Sequence, residues 1–526
     1  MRRHTKSKSG CDTCKARHVK CGEEQPHCRR CVSTKRKCSY TRPESDSPQR
    51  QLGLFQDFLS PERPAISAQR ERRAFEYYYY QAGPALCGVL DPGFWRTSVL
   101  QMCRNEPAIW DAIISLSALY ERPPIHEASP FRLINNPAEV EHPHHREALV
   151  WYSRSLAALR QRMENGSADL SVLLVSCILF IAIELLQGNR QAALTLCRQG
   201  ADMVISAFQP TDHTSRNKAS VDRQFLISVI NPIFRRLGTW ALITDGDINN
   251  HRSLNSICMD VKPSSIDEAR NTLHGIVADM KILNIDTKCH WARSFEELIR
   301  DGLGLILIER QRDLKDRLNH WLKSFASLFP DEHDGNTALL LMTYTSVLIE
   351  IETCLCHDQM LYDSYEAEFA QIIHYAPAAI ASTRYNGSQP PFLLETGVFL
   401  PLFITALKCR APQIRRQALQ FLHEAPPAQG LFMCRPAAHA VAVIVELEEG
   451  GNPADLDWMQ GPGDLISKSG FVPPAESRIW DFSVSSDKDS QGMTQKWLHY
   501  RLRDFGNPNG DIRFIQHTVL FPGAQS

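Results

Sequence analysis

From about residue 67 to residue 449, apolar residues recur three and four positions apart, and Pro and Gly fall between the runs. That spacing is one face of an α-helix. It predicts helices over 67–82, 106–121, 144–164, 170–187, 189–207, 220–241, 265–283, 295–327, 336–356, 361–374, 392–409, 412–424 and 436–449. The alternation of a strand is scarce. Only Trp480–Val484 and Ile512–Leu520 alternate enough to predict a short pair of strands. The expected body, 67–526, is therefore one large all-α domain.

Two stretches of this pattern bear on function. Leu170–Leu186 is apolar apart from two Ser, one Cys and Glu184, at the short edge of what spans a bilayer. A central helix of a large bundle is also apolar all round, and that reading is preferred, with no membrane contact expected. The segment 65–82, with Ile66, Phe75 and four consecutive tyrosines at 77–80, holds about two turns of mixed pattern, short of the ~3–4 heptads a coiled coil needs. Dimerisation stays open, without that route.

The first 64 residues lack helical periodicity. Residues 1–10 form a basic polar arm, and 41–66 has the Pro, Ser and Gln content of a linker. Charge divides the chain in the same place. Residues 1–42 hold 13 Lys and Arg against Asp12, Glu23 and Glu24, a formal +10, leaving 45 basic and 56 acidic residues for the rest. The whole-chain charge of −1 thus joins a polyanion-seeking head to an acidic body.

Within that head lie Cys11, Cys14, Cys21, Cys28, Cys31 and Cys38. Adding 17 to the first three positions gives the last three, so a C-x2-C-x6-C unit is written twice. Dense disulfides belong to secreted chains, and no apolar stretch follows the opening Met-Arg-Arg-His-Thr-Lys. A thiolate metal site is preferred, because C-x2-C brings two soft ligands to one tetrahedral zinc. Six sulfurs are too few for two separate four-cysteine sites and too many for one. Two sulfurs shared between two metals would give each zinc four ligands. The remaining ten cysteines have no second C-x2-C and read as buried free thiols; Cys354-Leu-Cys356-His357 is their one local cluster, in an apolar run.

This spacing, with Lys15-Ala-Arg17-His18-Val-Lys20 between Cys14 and Cys21, Pro26 before Cys28 and Tyr40 after Cys38, resembles the fungal binuclear zinc cluster transcription factors. The resemblance implies two Zn2+, with Cys11 and Cys28 bridging, Cys14 and Cys21 on the first metal and Cys31 and Cys38 on the second. It implies a short helix after each C-x2-C, double-stranded DNA as partner, a nuclear location, and control of RNA polymerase II genes through coregulators. Arg17 and His18 would read a CGG-type triplet beside Lys15 and Lys20, and Lys20, Arg29, Arg30, Lys35, Arg36 and Lys37 would meet phosphates. The family often has Lys or Arg where this chain has His18, so Arg17 is expected to carry more of the specificity.

Further on, Gly93-Phe-Trp95, Ala112–Tyr120, Ala148–Tyr152 and Glu184–Asn189 are similar to the fungal-specific transcription factor domain, legibly over about 67–210. That likeness implies a regulatory helical domain, and the family's habit is pathway-specific control. No G-x4-G-K-[ST], G-x-S-x-G or H-E-x-x-H occurs, and His142, His144 and His145 read as a solvated loop. The alternatives are a metal-thiolate sensor and a zinc-stabilised interaction protein. Neither needs the basic residues that fill both halves of the head.

Overall fold

The computed structural model describes residues 11–17, 19–23, 27–38, 65–87, 91, 93–124, 143–208, 223–244, 254, 263–288, 299–329, 334–356, 358–453, 456, 470–488, 494–505 and 513–520. The chain splits into two compact units, Met1–Ala68 and Gln69–Ser526.

In the first unit, α1 (Asp12–Ala16) and α2 (Arg29–Ser33) pack on each other. A segment this short cannot enclose an apolar core. Its interior is sulfur: Cys11, Cys14, Cys21, Cys28 and Cys31 are buried, with Val19 and Cys38 packed against them.

The second unit is mostly helical. The helix Ala65–Tyr77, most of which belongs to this unit, runs on through a π turn at Tyr78–Ala82. Phe75, Tyr78 and Ala82 are buried, Phe75 stacks on Trp110 at 4.8 Å, and the Tyr78 hydroxyl donates to the Trp95 carbonyl. The segment whose pattern falls short of a coiled coil is thus a core element of its own chain. Glu71, fully buried, accepts from Arg154, which also grips Asp111. Leu170–Leu186 is buried along nearly its whole length and packs on the helices Pro107–Glu121 and Arg190–Phe208. Its Glu184 accepts from the Tyr152 hydroxyl at 2.7 Å. Among the described residues no helix is long and apolar enough to cross a membrane.

The helix Gly335–Thr353 explains why its sequence is apolar on every side. Leu340, Tyr344, Val347 and Ile351 enter one core with 266–288 and 303–328, while Ala338, Leu339, Met342 and Ile349 enter another with 366–382 and 399–445. Its N-terminus is capped by Asp334 Oδ1, which accepts from Asn336 N and Thr337 N.

Several boundaries differ from expectation. The helix expected over 392–409 begins at Phe399. Before it, β1 (Phe392–Leu393) pairs with β2 (Ala428–Gln429), which pairs with β3 (Phe432–Met433). Gly397, at φ +45°, turns the chain between strand and helix. The segment 361–374 opens as a 3-10 turn and continues as Glu366–Ser382, past Pro377. His144 and His145 lie in the first turn of the helix Pro143–Glu164 rather than in a loop; His142 is outside the described residues. Cys356 is exposed, unlike the buried Cys354 beside it, and His357 is not described.

The tail corrects the expected pair of strands to three: β4 (Ile479–Lys488), β5 (Thr494–Arg503) and β6 (Phe514–Leu520), antiparallel in that order. One sheet face, with Ile479, Phe482, Val484, Leu498, Tyr500, Leu502 and Val519, covers Ala440, Val443 and Ile444 of the helix Cys434–Glu448. Glu448 fixes the junction. Buried beside Arg410 and Arg415, it accepts from both at 2.8 Å and from the Ile479 amide at 2.8 Å.

Candidate metal centre and DNA-binding face

The duplication in the sequence is a duplication in space. Cys11 caps α1, its Sγ accepting from Cys14 N at 3.4 Å, and Cys28 caps α2, its Sγ accepting from Cys31 N at 3.4 Å. Cys11 N donates to Cys21 Sγ and Cys28 N to Cys38 Sγ, both at 3.3 Å. After the helices, Val19 N reaches Cys14 O at 3.1 Å, and Arg36 N reaches Cys31 O at 2.9 Å. Lys35 takes the left-handed conformation, φ +49°, that closes such a helix end.

Each helix therefore starts inside its C-x2-C, on the residue after the first cysteine, and not after the motif as expected. The first cysteine supplies the cap, so helix and ligand pair begin together. As a result Arg17 is the C-cap of α1 and Lys20 lies beyond it.

The halves also brace each other reciprocally. Thr13 Oγ1 donates to Lys37 O at 2.7 Å, and Arg30 Nη1 donates to Lys20 O at 3.3 Å. Positions 13 and 30, and positions 20 and 37, are equivalents under the shift of 17. Sequence reading missed this brace, although the repeat offset contains it.

The six sulfurs converge. Cys11, Cys14, Cys21 and Cys28 form one group whose sulfurs all lie within 4.8 Å, and Cys11, Cys28, Cys31 and Cys38 form another. The groups share Cys11 and Cys28. Cys11 Sγ to Cys28 Sγ is 3.7 Å, Cys11 to Cys31 3.7 Å, and Cys14 to Cys28 3.7 Å. Two thiolates on one tetrahedral zinc, at about 2.3 Å each, stand about 3.8 Å apart. The spacing fits the ion.

The proton balance of the thiols also calls for a cation. Burial and the neighbouring sulfurs push Cys14 up to about 12 and Cys31 higher still. At Cys28 burial is outweighed by the Cys31 amide and the facing thiols, which draw it down to about 6. Thiols this close cannot all ionise unless a metal takes up the charge.

Around the sulfur core Lys15, Arg17, Lys20, Arg29, Arg30, Lys35, Arg36 and Lys37 are all exposed. His18, Pro26 and Tyr40 lie outside the described residues.

Known proteins carry the same two regions. Residues 9–47 match the fungal Zn(2)-Cys(6) binuclear cluster domain, and residues 73–230 match the fungal specific transcription factor domain. The chain thus carries, in the same order, the two domains that fungal Zn(2)-C6 transcription factors combine. It is 25% identical over 374 residues to the aspercryptin biosynthesis cluster-specific transcription regulator of Emericella nidulans, covering 63% of this chain and 56% of that protein. It is 58% identical over 38 residues to sterol uptake control protein 2 of Saccharomyces cerevisiae, 7% of this chain and 4% of that one. A Zn(2)-C6 fungal-type transcription factor of Aspergillus fumigatus is 28% identical over 123 residues, 22% of this chain and 33% of that protein. The first of these matches thus spans about half the relative's length, and the others less. No solved structure matches the chain. As a Zn(2)-C6 cluster the head binds two zinc ions.

Proposed function

We propose that the chain is a nuclear, sequence-specific regulator of RNA polymerase II genes that reads a CGG-type triplet through residues 11–40, while 67–526 serves as its regulatory domain. The observation that carries this reading is the joining of two four-sulfur groups through Cys11 and Cys28, surrounded by eight exposed Lys and Arg. Cys11 and Cys28 would bridge the zincs, Cys14 and Cys21 would complete the first site, and Cys31 and Cys38 the second. The metals supply the cohesion that the head's short helices lack, so binding them and folding are one event.

Arg17 would meet O6 and N7 of a guanine, with Lys15 and His18 beside it in the major groove. Lys20, Arg29, Arg30, Lys35, Arg36 and Lys37 would contact phosphates and set affinity rather than sequence. Control of a biosynthetic gene set is supported by the cluster-specific description of the Emericella nidulans relative.

Selection of binding sites from random duplexes by the zinc-loaded full chain tests the reading. A logo centred on a CGG-type triplet, lost on chelation, is the expected result. Retention of bound zinc without any sequence preference would favour a metal-thiolate sensor.

A further inference from the structure

β6 lies at one end of its sheet, bonded to β5 along all seven residues from Phe514 to Leu520. Among the described residues nothing pairs with its other edge. Natural edge strands are commonly blunted by Pro, by charge or by a bulge. Phe514-Ile-Gln-His-Thr-Val-Leu520 contains neither Pro nor a charged Lys, Arg, Asp or Glu, and its pairing with β5 is regular throughout. Ile515 is 48% exposed and Leu520 47%. The strand is therefore a regular, neutral, partly apolar edge held in register from one side.

What it would accept is written in its own order. Read outward from His517, the strand places Gln516 against Thr518, Ile515 against Val519, and Phe514 against Leu520. A two-fold axis through His517, perpendicular to the sheet, lays the same strand of another molecule antiparallel to this one. Every cross-strand pair is then matched in kind: polar with polar, β-branched with β-branched, large apolar with large apolar. Such an axis keeps corresponding faces on the same side. His517, stacked on Tyr500 at 5.2 Å, marks the face toward the helix Cys434–Glu448, and Ile515 and Val519 share it by alternation.

We propose that the chain forms a homodimer by pairing β6 with β6 of a second copy, joining two three-stranded sheets into one of six strands. The added contact is small, so the dimer belongs to the weak, concentration-dependent class.

Sedimentation of the zinc-loaded full chain over a concentration series, without DNA, gives the test. Two double variants separate the proposal from a general loss of edge stability. Gln516→Glu with Thr518→Glu sets carboxylates opposite one another twice across the axis. Gln516→Glu with Thr518→Lys sets opposite charges there twice. Both positions are exposed, and both variants equally lose the hydrogen bond between Thr518 Oγ1 and His499 Nδ1 at 2.9 Å.

The expected result is a reversible dimer for the native chain, a dissociation constant raised about tenfold or more in the doubly acidic variant, and recovery in the mixed one. Equal thermal unfolding of the two variants confirms that only association has changed. A native chain that stays monomeric throughout, or two variants that associate alike, overturns the proposal. The first of these results leaves the edge to an extended peptide of another protein.

Discussion

The two halves of the head have nearly the same backbone and quite different surfaces. Their caps, amide-to-sulfur bonds and helix ends repeat at an offset of 17 residues. Their outward side chains do not. Where the first half has Asp12, Lys15 and Arg17, the second has Arg29, Val32 and Thr34; only Lys20 and Lys37 agree. The repeat therefore governs the metal framework, and the divergence governs what the framework presents. Sulfur positions must satisfy a tetrahedron to within a few tenths of an ångström, whereas exposed positions are free to specialise. Under the proposed function, the first half reads bases and the second mainly holds phosphate.

Removing a sulfur that both groups share should have the largest effect. Cys28→Ala and Cys11→Ala should each reduce bound zinc from two to none and unfold the head, seen by metal analysis and loss of DNA binding. One retained zinc in either variant would show that its sulfur does not bridge. Next come the sulfurs that belong to one group only. Cys14→Ala and Cys31→Ala should each keep one metal, and unequal results would mean that the two sites are not the independent equivalents their geometry suggests.

Arg17→Ala should cost about 1–3 kcal/mol on the preferred site and relax the guanine preference. Thr34→Ala, at the equivalent position, should leave the logo unchanged; equal effects from the two would end the division of labour between the halves. Thr13→Val removes one side of the reciprocal brace, leaving Lys37 O without that donor. It should destabilise the zinc-loaded head by about 0.5–1.5 kcal/mol in denaturant unfolding, without altering metal count. The smallest effects belong to the positions that agree. Lys20→Ala and Lys37→Ala should each flatten the salt dependence of binding by about one phosphate contact, equally for all sequences. A sequence-selective loss at Lys37 would make the second half a reader too.

The head could be read closely from sequence because metal chemistry leaves few choices. Six cysteines at a repeated spacing specify which groups converge, and the structure adds the capping role that moves each helix start back to the residue after the first cysteine. The helical body was legible wherever one face alternates with another, as in Arg190–Phe208. It was also legible where a run is wholly apolar, as in Leu170–Leu186. Legibility failed where amphipathic residues blur the period. In β5, Lys496 is buried on the inner side and Trp497 faces outward by alternation, so the polar–apolar order a strand should show is partly inverted. Boundaries moved where backbone geometry rather than hydropathy decides, as at Gly397 and at the 3-10 turn Gln359–Tyr365.

Cys11 and Cys28 are fully screened from solvent, and each also holds the first turn of a helix. A competing chelator or thiol must begin instead at Cys38, which is only half-buried, and the two shared sulfurs should give up metal last, when the head opens. A brief fall in available metal should then trouble loaded protein less than newly made chains.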